Sequence, residues 1–114
     1  MNIQIFGKSK CFDTKKAQRY FKERRIKVQN VDILKYGMSK GELTSVIRAV
    51  GLDAVIDPKQ PGAAGLSYLA YDEQKLAHLL EEPRLLKTPI VRNGQQATVG
   101  YQPEVWKQWE AAEK

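Results

Sequence analysis

A single cysteine, Cys11, lies where the sequence changes from the pattern of a strand to that of a helix. Before it, residues 2–6 alternate apolar and polar side chains, which is typical of a β-strand, and Gly7 follows as a turn residue. After it, a charge-rich stretch from 14 to about 25 predicts a long helix. The cysteine is therefore predicted at the N-terminus of a helix that directly follows the first strand of a sheet.

A thiol at the N-terminus of a helix meets unpaired backbone N–H groups and the positive end of the helix dipole, which favour its thiolate. Lys8, Lys10 and Lys15 add positive charge nearby, and the hydroxyl of Thr14 can donate a hydrogen bond to the sulfur. Since the thiolate is the reactive form, Cys11 is a candidate nucleophile. The alternative is a buried, inert cysteine, which its polar and charged neighbours disfavour.

The rest of the chain predicts a second strand, further helices and a hairpin. Ser39 and Glu42 match a capping box at the start of one helix, and Asn93-Gly94 is a strong signal for a hairpin turn. The predicted segments are a strand at 27–33, an exit loop at 32–37, a helix at 39–50, an irregular region at 52–65, a helix at 72–82, a hairpin at 89–99 and a helix from 103 to about 114. With no repeat or linker, this order predicts one α/β domain over residues 1–114, with a mixed four-stranded sheet, flanking helices and a helical insertion.

Single residues carry further predictions. Asp13 or Thr14 is predicted to cap the first long helix, and Asp72 to cap the helix that begins there. Trp106 and Trp109, three positions apart on the last helix, are predicted to be core aromatics rather than a ligand platform. The Thr88-Pro89 bond, just before the hairpin, is a candidate cis peptide bond.

Composition restricts the compartment and the kinds of ligand. The 114 residues include one cysteine and one histidine, so an internal disulfide is excluded and a structural metal site is disfavoured. The first residues lead directly into a strand without a signal-peptide pattern, and no apolar run reaches the length of a membrane span. We therefore expect a cytoplasmic protein that binds neither a metal nor a membrane.

The net charge of +6 is concentrated in one segment. Between Lys8 and Lys27 there are nine basic and two acidic residues, a net charge of +7, so the rest of the chain sums to −1. Three interpretations stay open: a solvated helix face, an anion site near Cys11, or a docking face for an acidic partner. Because no aromatic residues alternate with the basic ones in a nucleic-acid-binding pattern, nucleic-acid binding is not expected.

An ordered set of motifs resembles the ArsC/Spx family of thioredoxin-fold proteins, which includes glutaredoxin-coupled arsenate reductases and the Spx transcriptional regulators. The resemblance runs over nearly the whole chain and implies a thioredoxin-like fold. The matching segments are the Gly7-to-Cys11 loop, residues 11–17 (CFDTKKA), Glu82-Pro83, residues 86–91 (LKTPIV) and Val99-Gly100-Tyr101.

The resemblance implies that Cys11 is the family's nucleophile, which in the arsenate reductases attacks the oxyanion before glutathione and glutaredoxin resolve the adduct. It also implies that Pro89 is the cis-proline beside the nucleophile. Spx proteins typically have a Cys-x-x-Cys redox switch, whose second position here is Thr14, so that switch is absent. The three arginines with which the reductases hold the oxyanion align with other residues: Asp57, Thr88 and Tyr101.

The first function that these observations favour is that of an arsenate reductase-like thiol-redox protein. Cys11 would attack an oxidised thiol or another electrophile, and glutathione or glutaredoxin would regenerate it, with glutathione as a co-substrate and no bound cofactor. Efficient arsenate reduction is not expected, because lysines lack the bidentate fork of the missing arginines. The expected site residues are Cys11 and Thr14 for catalysis, and Lys8, Lys10, Lys87 and Pro89 for substrate or anion binding.

Two alternatives remain. In one, the chain is an Spx-like regulator whose basic first helix docks RNA polymerase or another acidic partner. In the other, Cys11 only senses oxidation and does not turn over.

Overall fold

The computed structural model, which describes residues 1–113, places a strand and a helix on either side of Cys11, as the sequence predicts. They are β1, Ile3–Gly7, and α1, Phe12–Glu23. The other strands are β2, Val28–Asp32, β3, Ile90–Asn93, and β4, Gln96–Val99. The other α-helices are α2, Ile33–Tyr36, α3, Lys40–Val50, α4, Asp72–Glu81, and α5, Pro103–Ala112. Short 3₁₀ helices cover Asp53–Val55, Ala63–Tyr68 and Pro83–Leu85.

The four strands form one mixed sheet in the order β2-β1-β3-β4. β2 runs parallel to β1, with Val28 opposite Ile3, and β3 runs antiparallel to β1, with Ile90 opposite Phe6. β4 returns antiparallel to β3 through a turn in which Gly94 has a φ of +62°, a conformation that favours glycine. The predicted sheet and hairpin are therefore confirmed.

The two faces of the sheet bury two separate hydrophobic clusters, because successive side chains of a strand point to opposite faces. Ile3 and Ile5 of β1 pack on the α1 and α5 side, and Phe6 packs on the α3 and α4 side. The first cluster also contains Ala17, Tyr20, Phe21, Val91, Trp106 and Trp109. Both tryptophans are buried in it, which confirms their assignment to the core.

Local signals set the start of α3. The Ser39 hydroxyl accepts a hydrogen bond from the Glu42 N–H at 3.1 Å, and the Glu42 carboxylate accepts one from the Ser39 N–H at 2.9 Å. This reciprocal pair is the predicted capping box, which satisfies two otherwise unpaired donors at the helix N-terminus. None of the helices within residues 1–113 is long and apolar enough to cross a lipid bilayer.

The prediction for the N-terminus of α1 is wrong by two or three residues. Cys11 itself is the N-cap, with extended backbone angles, and α1 begins at Phe12. Thr14 does not cap because its side chain is buried against Gly7, inside the first turn of the helix. Asp13 lies in that first turn and is not the cap. Its negative charge there interacts favourably with the positive end of the helix dipole.

Two further boundaries differ from the sequence prediction. The exit loop expected at 32–37 contains the one-turn helix α2, because the Asp32 carboxylate accepts a hydrogen bond from the Leu34 N–H at 2.9 Å and Ile33 is fully buried. Asp72 is the first residue of α4 rather than its cap, which is Tyr71. The irregular region at 52–65 is occupied largely by turns and 3₁₀ helix.

Candidate functional site

Cys11 is the residue around which the candidate site is built. It is partly exposed at the N-terminus of α1, and its backbone N–H donates to the Lys8 carbonyl at 3.1 Å, which closes the loop between β1 and α1. Phe12, the next residue, is 79% exposed, so the first position of the helix presents an apolar ring to solvent. The thiol is thus held at a fixed place and stays accessible to a ligand.

Thr14 holds the loop between β1 and α1 in place. Its side chain is buried, and its Oγ1 accepts a hydrogen bond from the Lys8 N–H at 3.4 Å. Its hydroxyl also stabilises the Cys11 thiolate and so lowers the pKa of that thiol. Gly7 provides the space for the threonine side chain: a Cβ there would overlap the Thr14 methyl and lie 2.8 Å from its hydroxyl oxygen. The glycine that sequence analysis identifies as a turn residue is therefore required by a close approach, with no positive φ involved.

The sulfur also contacts the segment that leads into β3. The Thr88-Pro89 bond is cis, as the candidate assignment has it, and both residues are buried. The Cys11 Sγ lies 3.6 Å from the Thr88 carbonyl oxygen, to which the protonated thiol donates. The Pro89 carbonyl accepts from the Gly100 N–H at 2.8 Å, which ties this segment to the end of β4.

The pKa of Cys11 is lowered from its ordinary value. Burial of the sulfur acts to raise the pKa and is the largest single influence. The hydrogen bonds that stabilise the thiolate together outweigh burial, and they come from the side chains of Thr14 and Thr88 and from the backbone at Thr14 and Asp13. The site therefore favours the ionised, nucleophilic form of the thiol.

Lys8 has a structural partner of its own. Its Nζ donates to the carbonyl oxygens of Arg84 and Leu86, at 2.9 and 3.0 Å. Burial lowers the pKa of Lys8, while attraction to Asp57 and to Cys11 acts in the opposite direction. Its ammonium group is therefore close enough to interact with the thiolate but is held by two backbone acceptors.

The other predicted site residues lie at different depths. Lys10 and Lys87 are both exposed, and the backbone N–H of Lys87 donates to the Val55 carbonyl at 2.8 Å. Pro89 is buried directly after Thr88, next to the sulfur. The structure thus brings Lys8, Thr14 and the Thr88-Pro89 segment to Cys11.

Residues other than arginine occupy the three positions at which the arsenate reductases have arginines. Asp57 is half-buried, and its carboxylate accepts from the Lys59 N–H at 3.0 Å. Thr88 contacts the sulfur as described, and Tyr101 packs edge-on against Trp106, with ring centroids 5.6 Å apart. An oxyanion beside Cys11 would therefore meet a carboxylate at one of these positions and no guanidinium at any of them.

Sequence reasoning missed two groups of contacts. Thr88 entered only as a missing arginine, although its carbonyl and hydroxyl both interact with Cys11; its place before a predicted cis-proline was the available signal. On the far side of α1, the Tyr20 hydroxyl donates to Glu110 at 2.6 Å and Arg24 pairs with the same carboxylate at 3.2 Å. No local pattern indicates that pair, because Glu110 lies on α5.

Comparison with known proteins places this geometry in a family. The ArsC family model matches residues 6–109. The global transcriptional regulator Spx 2 of Oceanobacillus iheyensis is 34% identical, over 96% of this chain and 84% of its own. A solved arsenate reductase from Vibrio cholerae is 24% identical and superposes with a TM-score of 0.82, over 95% of this chain and 97% of its own. That structural likeness confirms the thioredoxin-like fold, and the match over residues 6–109 shows that the chain belongs to the ArsC family.

Proposed function

We propose that the protein is a thiol-redox protein that uses Cys11 as its one nucleophile and is recycled by glutathione or glutaredoxin. The observation that supports this most directly is the partly exposed Cys11 at the N-terminus of α1, where hydrogen bonds lower the pKa of its thiol. A thiolate is both the attacking and the leaving form in thiol–disulfide exchange. A lowered pKa on an accessible thiol is the combination that this proposal needs.

The proposed reaction is a pair of exchanges. The Cys11 thiolate attacks one sulfur of an oxidised thiol, its S–S bond breaks, and the other sulfur leaves as a thiolate that takes up a proton from water. A second thiolate, from glutathione or glutaredoxin, then attacks the mixed disulfide and releases the Cys11 thiolate. The attacking thiol leaves joined by a disulfide to the first sulfur of the substrate, and a further thiol of the same donor reduces that disulfide. Two thiols are thus oxidised to one disulfide, the substrate gains two electrons, and the protein itself is unchanged after a cycle.

Each neighbour has a part in this proposal. The Thr14 hydroxyl stabilises the thiolate before attack and after release, and Lys8 adds positive charge from its fixed place on the carbonyls of Arg84 and Leu86. Lys10 and Lys87, which are exposed, would attract the carboxylates of glutathione. Pro89 would form the wall against which the incoming disulfide lies.

Arsenate is not part of the proposed substrate class. Oxyanion stabilisation needs donors aimed at the oxygens, and removing one such donor typically costs about 3 kcal/mol of transition-state stabilisation. Here Asp57 occupies one arginine position, and Lys8, a cation that interacts with Cys11, already donates to two carbonyls. Because recycling by glutathione needs a reducing compartment, the proposal places the protein in the cytoplasm.

The test is formation of a mixed disulfide. Purified protein is incubated with oxidised glutathione, the mass of the adduct is followed with time, and reduced glutathione with glutaredoxin is then added to follow its release. We expect one glutathione on the wild type, release by glutaredoxin, and no adduct on Cys11→Ser. An unmodified wild type at neutral pH, or an equal adduct on Cys11→Ser, would rule out the proposal.

We propose docking of an acidic protein as a second function, which is compatible with the first. It is supported by the 34% identity to a global transcriptional regulator and by the positive charge of α1. RNA polymerase is the acidic partner that we propose, since the relative is named as a regulator of transcription. Lys22 and Arg19 are the residues to reverse, since Arg24 is already paired with Glu110.

The test of docking uses purified RNA polymerase from the cell that makes the protein. We expect the wild type to bind it at low ionic strength and the double variant Arg19→Glu/Lys22→Glu to bind much more weakly, because like charges would then face the acidic surface. Equal binding of the double variant and the wild type would contradict a role for α1.

A further inference from the structure

A shallow groove follows the open edge of the sheet. β2 is the outermost strand, so about half of its backbone N–H and C=O groups have no strand to pair with. Between α1 and β2 lie two adjoining depressions of about 420 and 530 Å³, which share Gln18 and Asn30 in their walls. The side chains of these two residues hydrogen-bond to each other at 3.2 Å and join the depressions into one groove.

The groove is lined by a row of cations. One side of α1 and its C-terminal turn carries three of them, Lys15, Lys22 and Arg25, with the neutral Gln18 between the first two. Successive residues of this set are three or four positions apart. Lys8 and Lys27 lie at its two ends, and Asp32 is the one acidic residue in its walls. Its walls therefore contain five cationic residues and one acidic residue, and among the cations Lys8 already donates to the carbonyls of Arg84 and Leu86.

These cations differ from those on the other side of the same helix. Toward α5, Arg24 pairs with Glu110, and Lys16 lies 3.9 Å from Asp13 and over the ring of Tyr101. On the groove side, four cations form no ion pair with any of residues 1–113: Lys15, Lys22, Arg25 and Lys27. Arg19, on the side toward α5, has no ion pair with the described residues either, and Lys15 lies over the ring of Phe12, 5.8 Å from its centroid. The groove side is therefore the side of α1 on which none of the cations has an acidic partner among residues 1–113.

Arg25 adds an independent observation. It is the one residue other than glycine with a positive φ, +58°, among residues 1–113. It follows the C-cap of α1, where its N–H donates to the Lys22 carbonyl and the next N–H, of Ile26, donates to the Phe21 carbonyl. Glycine is the residue that this helix end favours. The chain keeps an arginine there and so keeps a guanidinium in the wall of the groove.

We propose that the groove binds an extended acidic segment of a partner protein, which pairs with the free edge of β2 while its carboxylates face the cations of α1. Strand addition supplies main-chain hydrogen bonds, and the cations supply specificity for acidic side chains. The lengths agree, since five residues of a strand span roughly 17 Å and twelve residues of a helix about 18 Å. The inference rests on the docking function proposed above and names its surface and its ligand.

The experiment is an NMR titration of the full chain, labelled with ¹⁵N, at low ionic strength. The probe is the peptide Glu-Val-Glu-Val-Glu, acetylated at its N-terminus and amidated at its C-terminus. We expect the peptide to change the amide chemical shifts of β2 and of the side of α1 that carries Gln18 and Lys22. Shifts confined to Lys16, Arg19 and α5 would overturn the groove but leave acidic docking on α1 in place, and no shifts at all would overturn both.

Two methylated peptides test the pairing of backbones. N-methylation of both valines removes the main-chain donors on one side of the strand, and N-methylation of the three glutamates removes those on the other side, while both keep every carboxylate. We expect one of the two to bind about tenfold more weakly than the probe, the ratio that corresponds to 1.4 kcal/mol. Binding of both as tight as that of the probe would overturn strand addition. Cys11 does not line the groove, so Cys11→Ser should bind the probe as the wild type does, and failure of the thiol chemistry would be seen separately.

Two variants on one helix test the cations. Lys22→Glu and Arg19→Glu change the net charge equally and are both exposed, but only Lys22 lines the groove. We expect Lys22→Glu to weaken the probe about tenfold more than Arg19→Glu does, which corresponds to about 1.4 kcal/mol. Equal losses would mean that total charge alone binds the peptide, and the groove would be overturned.

Arg25→Gly separates binding from folding. Glycine relieves the positive φ, so we expect a higher melting temperature than in the wild type, together with weaker binding of the probe. A merely structural role for Arg25 would leave binding unchanged. A variant that melts higher and binds the probe as tightly as the wild type would contradict the role assigned to this arginine.

Discussion

The sulfur of Cys11 lies 3.6 Å from the carbonyl oxygen of Thr88, a residue 77 positions away at the entrance to β3. The carbonyl accepts a hydrogen bond from the protonated thiol, and the hydroxyl of the same threonine stabilises the thiolate. Together with the hydroxyl of Thr14 and the backbone at Thr14 and Asp13, that second interaction is why the pKa of Cys11 is lowered in spite of burial. The thiol therefore depends on one distant residue as well as on the first turn of its own helix.

Replacing Thr14 with valine should slow the reaction of Cys11 with iodoacetamide at neutral pH by about tenfold. Valine keeps the shape of the side chain but removes the hydrogen bond to the thiolate, and a hydrogen bond to a charged group is worth about 1.5 kcal/mol or more. The control is Thr14→Ser, which keeps the hydroxyl and should react nearly as fast as the wild type. Equal rates for the valine variant and the wild type would assign the reactivity to the helix terminus alone.

The stability of the protein should depend on pH through Cys11. Because folding lowers the pKa of this thiol from its ordinary value of 9.0, its contribution is fully present above that value and is lost as the pH falls through the folded pKa. The measurement is urea denaturation of the wild type and of Cys11→Ser at several pH values. The wild type should gain free energy of unfolding relative to the variant as the pH rises, and a constant difference would contradict the lowered pKa.

Adding a methyl group at Gly7 should destabilise the fold by about 1–3 kcal/mol, the usual result of overpacking a buried contact. A Cβ at this position would overlap the methyl group of Thr14. Gly7→Ala in a Thr14→Ser background should therefore cost less than it does in the wild type, since serine lacks that methyl. Chemical denaturation of the four proteins gives the coupling, and an additive cycle would show that the two side chains do not meet.

The hydrogen bond between Trp106 and Thr98 should contribute about 1 kcal/mol. The indole Nε1–H donates to the Thr98 hydroxyl at 2.9 Å, and both residues are buried. Trp106→Phe should therefore cost more in the wild type than in Thr98→Val, where the acceptor is already gone. The denaturation midpoints of the four proteins give this difference, which would be near zero if the bond did not stabilise the fold.

Tyr20 should ionise late and should lose its stabilising effect at high pH. Burial, followed by the hydrogen bond to Glu110, raises the pKa of Tyr20 to about 12, so folding favours the neutral phenol. Its contribution is present below the ordinary value of 10.0 and is lost as the pH rises through about 12. A phenolate absorbance titration should show a step near pH 12 that is absent from Tyr20→Phe and shifts downward in Glu110→Gln.

The sequence predicted the parts of the site that depend on near neighbours. The change from strand to helix at Cys11, the proximity of Thr14, the capping box at Ser39 and the Asn93-Gly94 hairpin all rest on residues a few positions apart. Their errors are also local. The caps of α1 and α4 lie one to three residues before the predicted ones. At α1 the reason is that Thr14 is buried against Gly7 and so is not available as a cap.

Only the tertiary structure decided which distant groups meet the thiol and which cations remain free. The contact of Cys11 with Thr88, the hold of two distant carbonyls on Lys8 and the pairing of Arg24 with Glu110 each join separate elements. None of them has a sequence period, since they follow from the order of the strands and the way the helices pack on the sheet. The sequence by itself determined where the cysteine lies and how charged α1 is, and packing determined its hydrogen bonds and the open edge of β2.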